Sequence, residues 1–255
     1  MNTNQNRVSR RTILRSGGMV AAASAFLAAC GGSSNRTVTR IGSAATAEKL
    51  AEATVTDGAL VRTAQSVELM VAEILSDSRI TTLADKNSAP VVAAFVAAHR
   101  AAANSLAPLA TARGVESVDA PNAKLMVAFG EPALALIESG KVADDVLSLA
   151  LALETLAAAT YQYFVQLTNE PALRAEFVRR GAPSSARAAA VAQLINPGTG
   201  AFAPSTNENG EANVATLPSA FGLLSSITVA LGAPNEVGTR TTVVMDTPSL
   251  NSIVY

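Results

Sequence analysis

The chain has 255 residues, of which 49% are hydrophobic and 15% are charged, a composition that indicates a buried core and excludes a disordered polar chain. Its single cysteine excludes an internal disulfide and any cysteine-based zinc site. The first 29 residues contain four arginines and no acid, so the remainder carries a net charge of about −5 and has no basic stripe for nucleic acid.

The first predicted element is an export leader at residues 1–29. Its basic region is followed by an apolar stretch over about residues 16–29, which is too short to cross a bilayer as a helix. The stretch SRRTIL resembles the bacterial twin-arginine export motif, with Ile13 where that motif usually has Phe. The LAAC that follows resembles a lipobox, and this resemblance implies that Cys30 is lipidated and becomes the first residue of the mature chain.

A flexible tether is predicted at residues 30–43, because the Gly/Ser-rich stretch GGSSNRT follows Cys30 and shows no apolar periodicity. A lipidated cysteine on such a tether predicts a protein anchored by its N-terminus to the outer face of the bacterial cytoplasmic membrane, in the cell envelope. The alternative for Cys30 is an ordinary buried thiol in a first helix.

Four long helices are predicted in the next part of the chain, residues 44–196, from apolar residues at helical intervals and from Ser, Pro and Gly at the ends. A short helical piece and the stretch GEPALALIESG, bounded by Gly130 and Gly140, lie between the second and third. The last long helix is expected to break at the sequence Gly-Ala-Pro. The predicted long helices cover residues 44–75, 88–114, 143–167 and 171–195, with the break at 181–183.

An irregular extension, packed on the helices, is predicted for residues 197–255. Gly, Pro, Asn and Thr are dense over residues 196–218, so no helix is expected in that stretch. A last short helix is predicted around residues 219–231. The stretch TTVVMDTPSLNSIVY at the end is expected to form either a short strand or an extended tail.

The first and third long helices contain an internal repeat. AQSVELMVAEIL (residues 64–75) aligns with ALALETLAAATY (residues 150–161), and the alignment pairs Glu68 with Glu154, each inside an apolar face. With one further residue of offset, HRAAA at residue 99 aligns with ARAAA at residue 186. Two helical hairpins of matching design are therefore expected, with an inward glutamate on the first helix of each.

The chain resembles the bacterial ferritin-like domain proteins, in an exported lipoprotein version. SVELMVAE, AAHRAAANSLA, LALETLAAATYQYF and LRAEFVRRGAPSSARAAAVAQLI carry the resemblance, which covers about residues 44–196. It implies an all-α protein, a ferritin-like four-helix bundle with an irregular C-terminal extension. Metal-binding members of this family take one glutamate from each of two helices and a Glu-x-x-His from each of the other two.

Only part of that ligand set is present. Glu68 and Glu154 match the two single glutamates, and His99 matches the first histidine. Val96 stands where the glutamate three residues before the histidine is needed, and Ala186 stands where the second histidine is needed. At most three of the six ligands remain, which is too few for a dinuclear metal centre.

Several interpretations of these three residues stay open. They are candidate ligands for a single iron or manganese ion, or they form a buried hydrogen-bonded cluster, or one of them faces solvent. The sequence predicts that no cofactor is bound. Tyr161 is expected to pack in the core beside Phe164, and a radical-forming tyrosine is the alternative.

The function predicted from the sequence is a non-enzymatic cell-envelope lipoprotein whose bundle is a structural or binding module. The alternatives are a membrane-anchored metal-binding protein or metal oxidase that uses Glu68, His99 and Glu154, and a carrier of an apolar molecule between the helices. The expected partner is the membrane, through the lipidated N-terminus. The sequence names no further partner and no oligomeric state.

Overall fold

The computed structural model of the chain describes residues 55–201, 226–246 and 253–254. They belong to one compact unit, Ala53–Tyr255. The predicted leader, Cys30 and the tether lie outside the described residues. Within the described part, no helix is long and apolar enough to cross a membrane. Most of this part is helical, which confirms the predicted helical class.

The described part of the chain contains five helices of ten or more residues and several short helical segments. They are α1 (Asp57–Ser76), α2 (Ser88–Thr111), α3 (Glu131–Gly140), α4 (Asp144–Leu167) and α5 (Pro171–Ile195). The short segments are Ser78–Thr81, Ala123–Leu125, the π-helical Met126–Gly130 and the 3-10 turn Gly198–Ala201.

The long helices form two antiparallel hairpins. In the first, Gln65 of α1 donates to the carbonyl of Ala103 on α2. In the second, the ring of Tyr161 on α4 lies 6.0 Å from that of Phe177 on α5. Buried apolar side chains fill the space between the hairpins in two clusters, one around Met70 and Leu153 and the other around Leu60, Tyr161 and Phe177. The core therefore has two apolar halves.

The start of α1 differs from the prediction. The sequence predicts a helix over 44–75 that includes Val55 and Thr56, but the helix begins at Asp57. Thr56 has an extended backbone, and its hydroxyl accepts a hydrogen bond from the amide of Ala59 at 3.1 Å. A threonine at this position satisfies an amide that has no partner within the helix, so Thr56 caps α1.

The expected break in the fourth long helix is wrong, because α5 runs without interruption from Pro171 to Ile195. Gly181 is buried against α4, where a Cβ would stand 3.0 Å from the Cβ of Tyr161. Phe177 and Ser184, on either side of the expected break, are both buried. Packing of both halves of α5 on α4 therefore outweighs the cost of a glycine and of Pro183, about 1 and 3 kcal/mol in a helix interior.

The helix predicted around residues 219–231 is wrong for its described part, which is a strand, β1 (Ser226–Leu231). Val229 and Leu231 are buried while Thr228 and Ala230 are exposed, an alternation that fits a strand. The strand predicted as one alternative near the end is confirmed as β2 (Thr241–Asp246). The two strands are antiparallel, with Ser226 opposite Asp246 and Leu231 opposite Thr241.

The β-hairpin is attached to the first turn of α4. Asp145 is fully buried, and its carboxylate accepts hydrogen bonds from the amide of Gly232 at 2.8 Å and from the guanidinium of Arg240. Arg240 also donates to the carbonyl of Gly232 at 2.8 Å. At the end of the chain, the amide of Val254 donates to the hydroxyl of Thr63 on α1. The described part of the C-terminal extension thus packs on the helices.

Candidate functional site

A group of polar side chains lies between the two apolar halves of the core, and we call it the central cluster. All four long hairpin helices contribute to it. Glu68, His99, Glu154 and Tyr161 are each at most 2% exposed, and the side chain of Arg187 is 21% exposed. The members are Glu68 of α1, His99 of α2, Glu154 and Tyr161 of α4, and Arg187 of α5.

His99 stands between the two glutamates. Its Nδ1 lies 2.5 Å from Oε2 of Glu68, and its Nε2 lies 2.9 Å from Oε1 of Glu154. A carboxylate can only accept, so both ring nitrogens donate only if the imidazole carries two protons. Burial alone would lower the pKa of His99, but the hydrogen bonds and charges of Glu154 and Glu68 outweigh it and raise the pKa to about 9. His99 is therefore an imidazolium at neutral pH.

Tyr161 is the second donor to Glu68. Its hydroxyl donates to Oε1 at 2.6 Å, so both oxygens of that carboxylate are hydrogen-bonded. Complete burial raises the pKa of Tyr161 well above its ordinary value, and the charge of Glu68 and the hydrogen bond to it act in the same direction. The phenol keeps its proton as a donor, and its ring packs on Phe177, so it joins the cluster to the apolar core.

Arg187 closes the cluster at α5. Its Nε donates to Oε1 of Glu154 at 2.7 Å, the oxygen that also faces His99. A second guanidinium nitrogen donates to the hydroxyl of Ser184 at 3.0 Å, and the guanidinium lies 5.6 Å from the ring centre of Phe95. The other oxygen of Glu154, Oε2, is buried and has no hydrogen-bond partner among the described residues.

The charges of the central cluster balance. Two carboxylates face one imidazolium and one guanidinium, and the phenol is neutral. Buried charges are tolerated when they are paired and hydrogen-bonded, whereas removal of one partner typically costs about 3–5 kcal/mol because the other charge stays buried. The cluster also joins all four helices through side chains, so it fixes how the two hairpins pair.

The three candidate metal ligands are brought together, but as arranged they do not form a metal site. The two nitrogens of His99 point in different directions, each at its own carboxylate. A cation that took Nε2 and Glu154 would be separated from Glu68 by the imidazole ring. Among the described residues, no group of three or more His, Cys, Asp or Glu side chains is placed to hold a metal ion.

The sequence did not identify Arg187 or the hydroxyl of Tyr161 as members of the cluster. The internal repeat aligns ARAAA with HRAAA, so it pairs Arg187 with Arg100 and Ala186 with His99. Arg100 is exposed on α2, whereas Arg187 reaches inward on α5. The signal that could have identified Arg187 is its place directly after Ala186, which stands where the second histidine is needed. A buried glutamate that binds no metal needs another cation.

Comparison with known proteins adds no relative. No protein family matched the chain. No curated protein and no solved structure matched it either. The resemblance to ferritin-like proteins therefore rests on the quoted sequence motifs, and the assignment of function rests on the geometry of the central cluster.

Proposed function

We propose that the protein is a cell-envelope lipoprotein whose helices form a ferritin-like bundle and act as a non-catalytic structural or binding module. The observation that carries the proposal is the closed, charge-balanced central cluster. In it His99 and Arg187 supply the positive charge that two buried carboxylates require. Two positively charged side chains thus neutralise the buried carboxylates, as metal ions would in a metal-binding bundle.

The arrangement of the glutamates supports the ferritin-like part of the proposal. Glu68 and Glu154 sit on the first helix of their respective hairpins and point at a shared histidine. This is the placement expected from a repeated helical hairpin that holds polar groups between facing helices. In this chain, however, both glutamates are hydrogen-bonded directly to the histidine.

The same contacts argue against catalysis at the cluster. A general acid or base must reach a substrate proton, and a nucleophile must reach a reacting atom. His99, Glu68 and Tyr161 are instead buried, and each is hydrogen-bonded to another member of the cluster. A structural role, in which the cluster holds the two hairpins in register, requires none of these groups to be accessible.

One observation favours the metal-binding alternative, namely the unpaired Oε2 of Glu154. A membrane-anchored metal-binding protein or oxidase would need this oxygen, a ring nitrogen of His99 and further donors around one cation. The decisive experiment is elemental analysis of the full chain purified from cells supplied with iron and manganese. We expect far less than one metal ion per chain. About one ion per chain that is lost in His99→Ala, and retained in the surface control Glu73→Gln, would overturn the proposal in favour of this alternative.

The lipoprotein part of the proposal rests on the motifs around Arg10, Arg11 and Cys30 and is tested separately. We expect the wild-type chain to fractionate with membranes and its mature N-terminal peptide to carry acyl groups, detectable by mass spectrometry. Cys30→Ala should release the chain from the membrane fraction. Replacement of both arginines by lysine should retain it in the cytoplasm. If both variants still fractionate with membranes, this part of the proposal is contradicted.

A further inference from the structure

An apolar groove runs along α2 where it meets the end of α1, and we call it the α2 groove. Its volume is about 370 Å³. Leu75 and Val92 are buried at its base, half-buried Val96 lies beside them, and the exposed Ala93 and Ala97 form its rim. The small alanines leave a depression where larger side chains would have filled the surface.

The charge around the α2 groove is unusual. The 24 residues of α2 contain no acid and no lysine, and Arg100 is the only charged residue on the exposed side of the helix. Exposed helix faces ordinarily carry several charged residues. Arg100 lies at one end of the groove, and it makes no hydrogen bond or ion pair with any residue that the structure describes. The lining of the groove includes no acid that could neutralise it.

The dimensions of the groove follow from the helix. Lining residues on α2 extend from Ala89 to Arg100, which at 1.5 Å per residue is a length of about 16 Å. The site is thus long and mostly apolar, and at one end it has the guanidinium of Arg100, which pairs with none of the described residues. A guanidinium binds a carboxylate through two parallel hydrogen bonds, and an apolar groove binds an unbranched hydrocarbon chain.

We propose that the α2 groove binds a free long-chain carboxylate, with its acyl chain along Val92 and Val96 and its head group on Arg100. This inference rests on the proposed role as a binding module and names the class of its ligand. A second copy of this chain fits less well. The groove offers no carboxylate for the partner's arginine, so two α2 faces would bring like charges together without compensation.

The test is calorimetric titration of the full chain with dodecanoate below its micelle concentration. We expect saturable binding of one dodecanoate per chain. Arg100→Gln should weaken binding roughly tenfold through the lost charge-assisted hydrogen bonds, and Arg100→Lys should restore part of it. Arg179→Gln, which removes an exposed arginine on α5, is the matched control and should bind like the wild type.

A second pair of variants tests the groove itself. Ala93→Phe should fill the groove and abolish binding, while Ala172→Phe, at an exposed position of α5, should not. Because both alanines are exposed, both variants should keep the thermal midpoint of the wild type, and binding lost by the first alone would locate the ligand in the groove.

Several results would overturn the inference. These are no saturable binding by the wild type, equal binding of dodecyltrimethylammonium, or undiminished dodecanoate binding by both Arg100→Gln and Ala93→Phe. A dimer in sedimentation velocity that Ala93→Phe disrupts would assign the groove to a second copy. Binding to phosphatidylglycerol vesicles without binding of free dodecanoate would assign it to the membrane. None of these results depends on metal content, so this inference and the proposed metal-free core can fail separately.

Discussion

The stability of the fold should fall as pH rises from neutral to about 9, because His99 must lose a proton. Its pKa in the folded chain is about 9, against an ordinary value of 6.5, so the group favours folding fully below 6.5. The contribution, about 3 kcal/mol at low pH by 1.36 kcal/mol per unit, is about 2 kcal/mol near pH 7.5 and is lost above pH 9.

Urea unfolding at several pH values between 6 and 9.5 measures this loss. The chain contains a single histidine, so no other imidazole contributes to the slope in that range. The control is His99→Gln, which should be less stable at pH 6 and should lack the slope. A wild-type free energy of unfolding that stays constant from pH 6.5 to 9.5 would refute the argument that the cluster holds an imidazolium.

Three further predictions concern stability alone and are measured by urea unfolding. Tyr161→Phe leaves a buried carboxylate oxygen without its donor and should cost about 1–3 kcal/mol, whereas Tyr163→Phe should cost under about 0.5 kcal/mol. Asp145→Asn should cost about 2–5 kcal/mol and speed amide exchange in the β-hairpin, while the exposed neighbour Asp144→Asn should cost at most about 1 kcal/mol. Gly140→Ala places a Cβ 2.5 Å from backbone of the hairpin loop and should cost about 1–3 kcal/mol. If a variant and its control lose the same free energy of unfolding, the corresponding contact is contradicted. A Gly140→Ala variant as stable as the wild type would contradict the close approach of the hairpin loop.

The helices and the inward glutamates could be predicted from the sequence because both depend on local pattern. Apolar residues at helical spacing define the buried face of α1 and α4, and a glutamate within such a face has to point inward. The repeat then pairs Glu68 with Glu154 across the two hairpins. The distances from His99 to both confirm that the three residues meet.

The second positive partner of Glu154, Arg187, could not be predicted in the same way. His99 faces inward on α2 while its neighbour Arg100 faces solvent, and on α5 the exposed residue is Ala186 and the inward one is Arg187. Adjacent residues on a helix point about 100° apart, so a difference of one residue in register reverses which side chain is buried. That register is set by packing of α5 on α4, which the repeat does not encode.

The wrong predictions of a break in α5 and of a helix at β1 have the same origin. Gly181 and Pro183 disfavour a helix locally, yet close packing against Tyr161 keeps α5 intact. The stretch SITVAL of β1 is short and apolar, and such a stretch suits a helix or a strand. Its partner, β2, begins ten residues after β1 ends, and the pairing of the two strands decides the outcome.

The central claim is that His99 carries a positive charge inside a closed cluster that needs no metal. Nitrogen NMR of the single imidazole in the folded full chain tests it most directly, at pH 7 and then with one equivalent of Zn²⁺ or Mn²⁺. We predict two protonated ring nitrogens, a titration near pH 9, and signals that the metals leave unchanged. A neutral imidazole at pH 7, or a ring signal that one equivalent of metal shifts or broadens, would contradict the account.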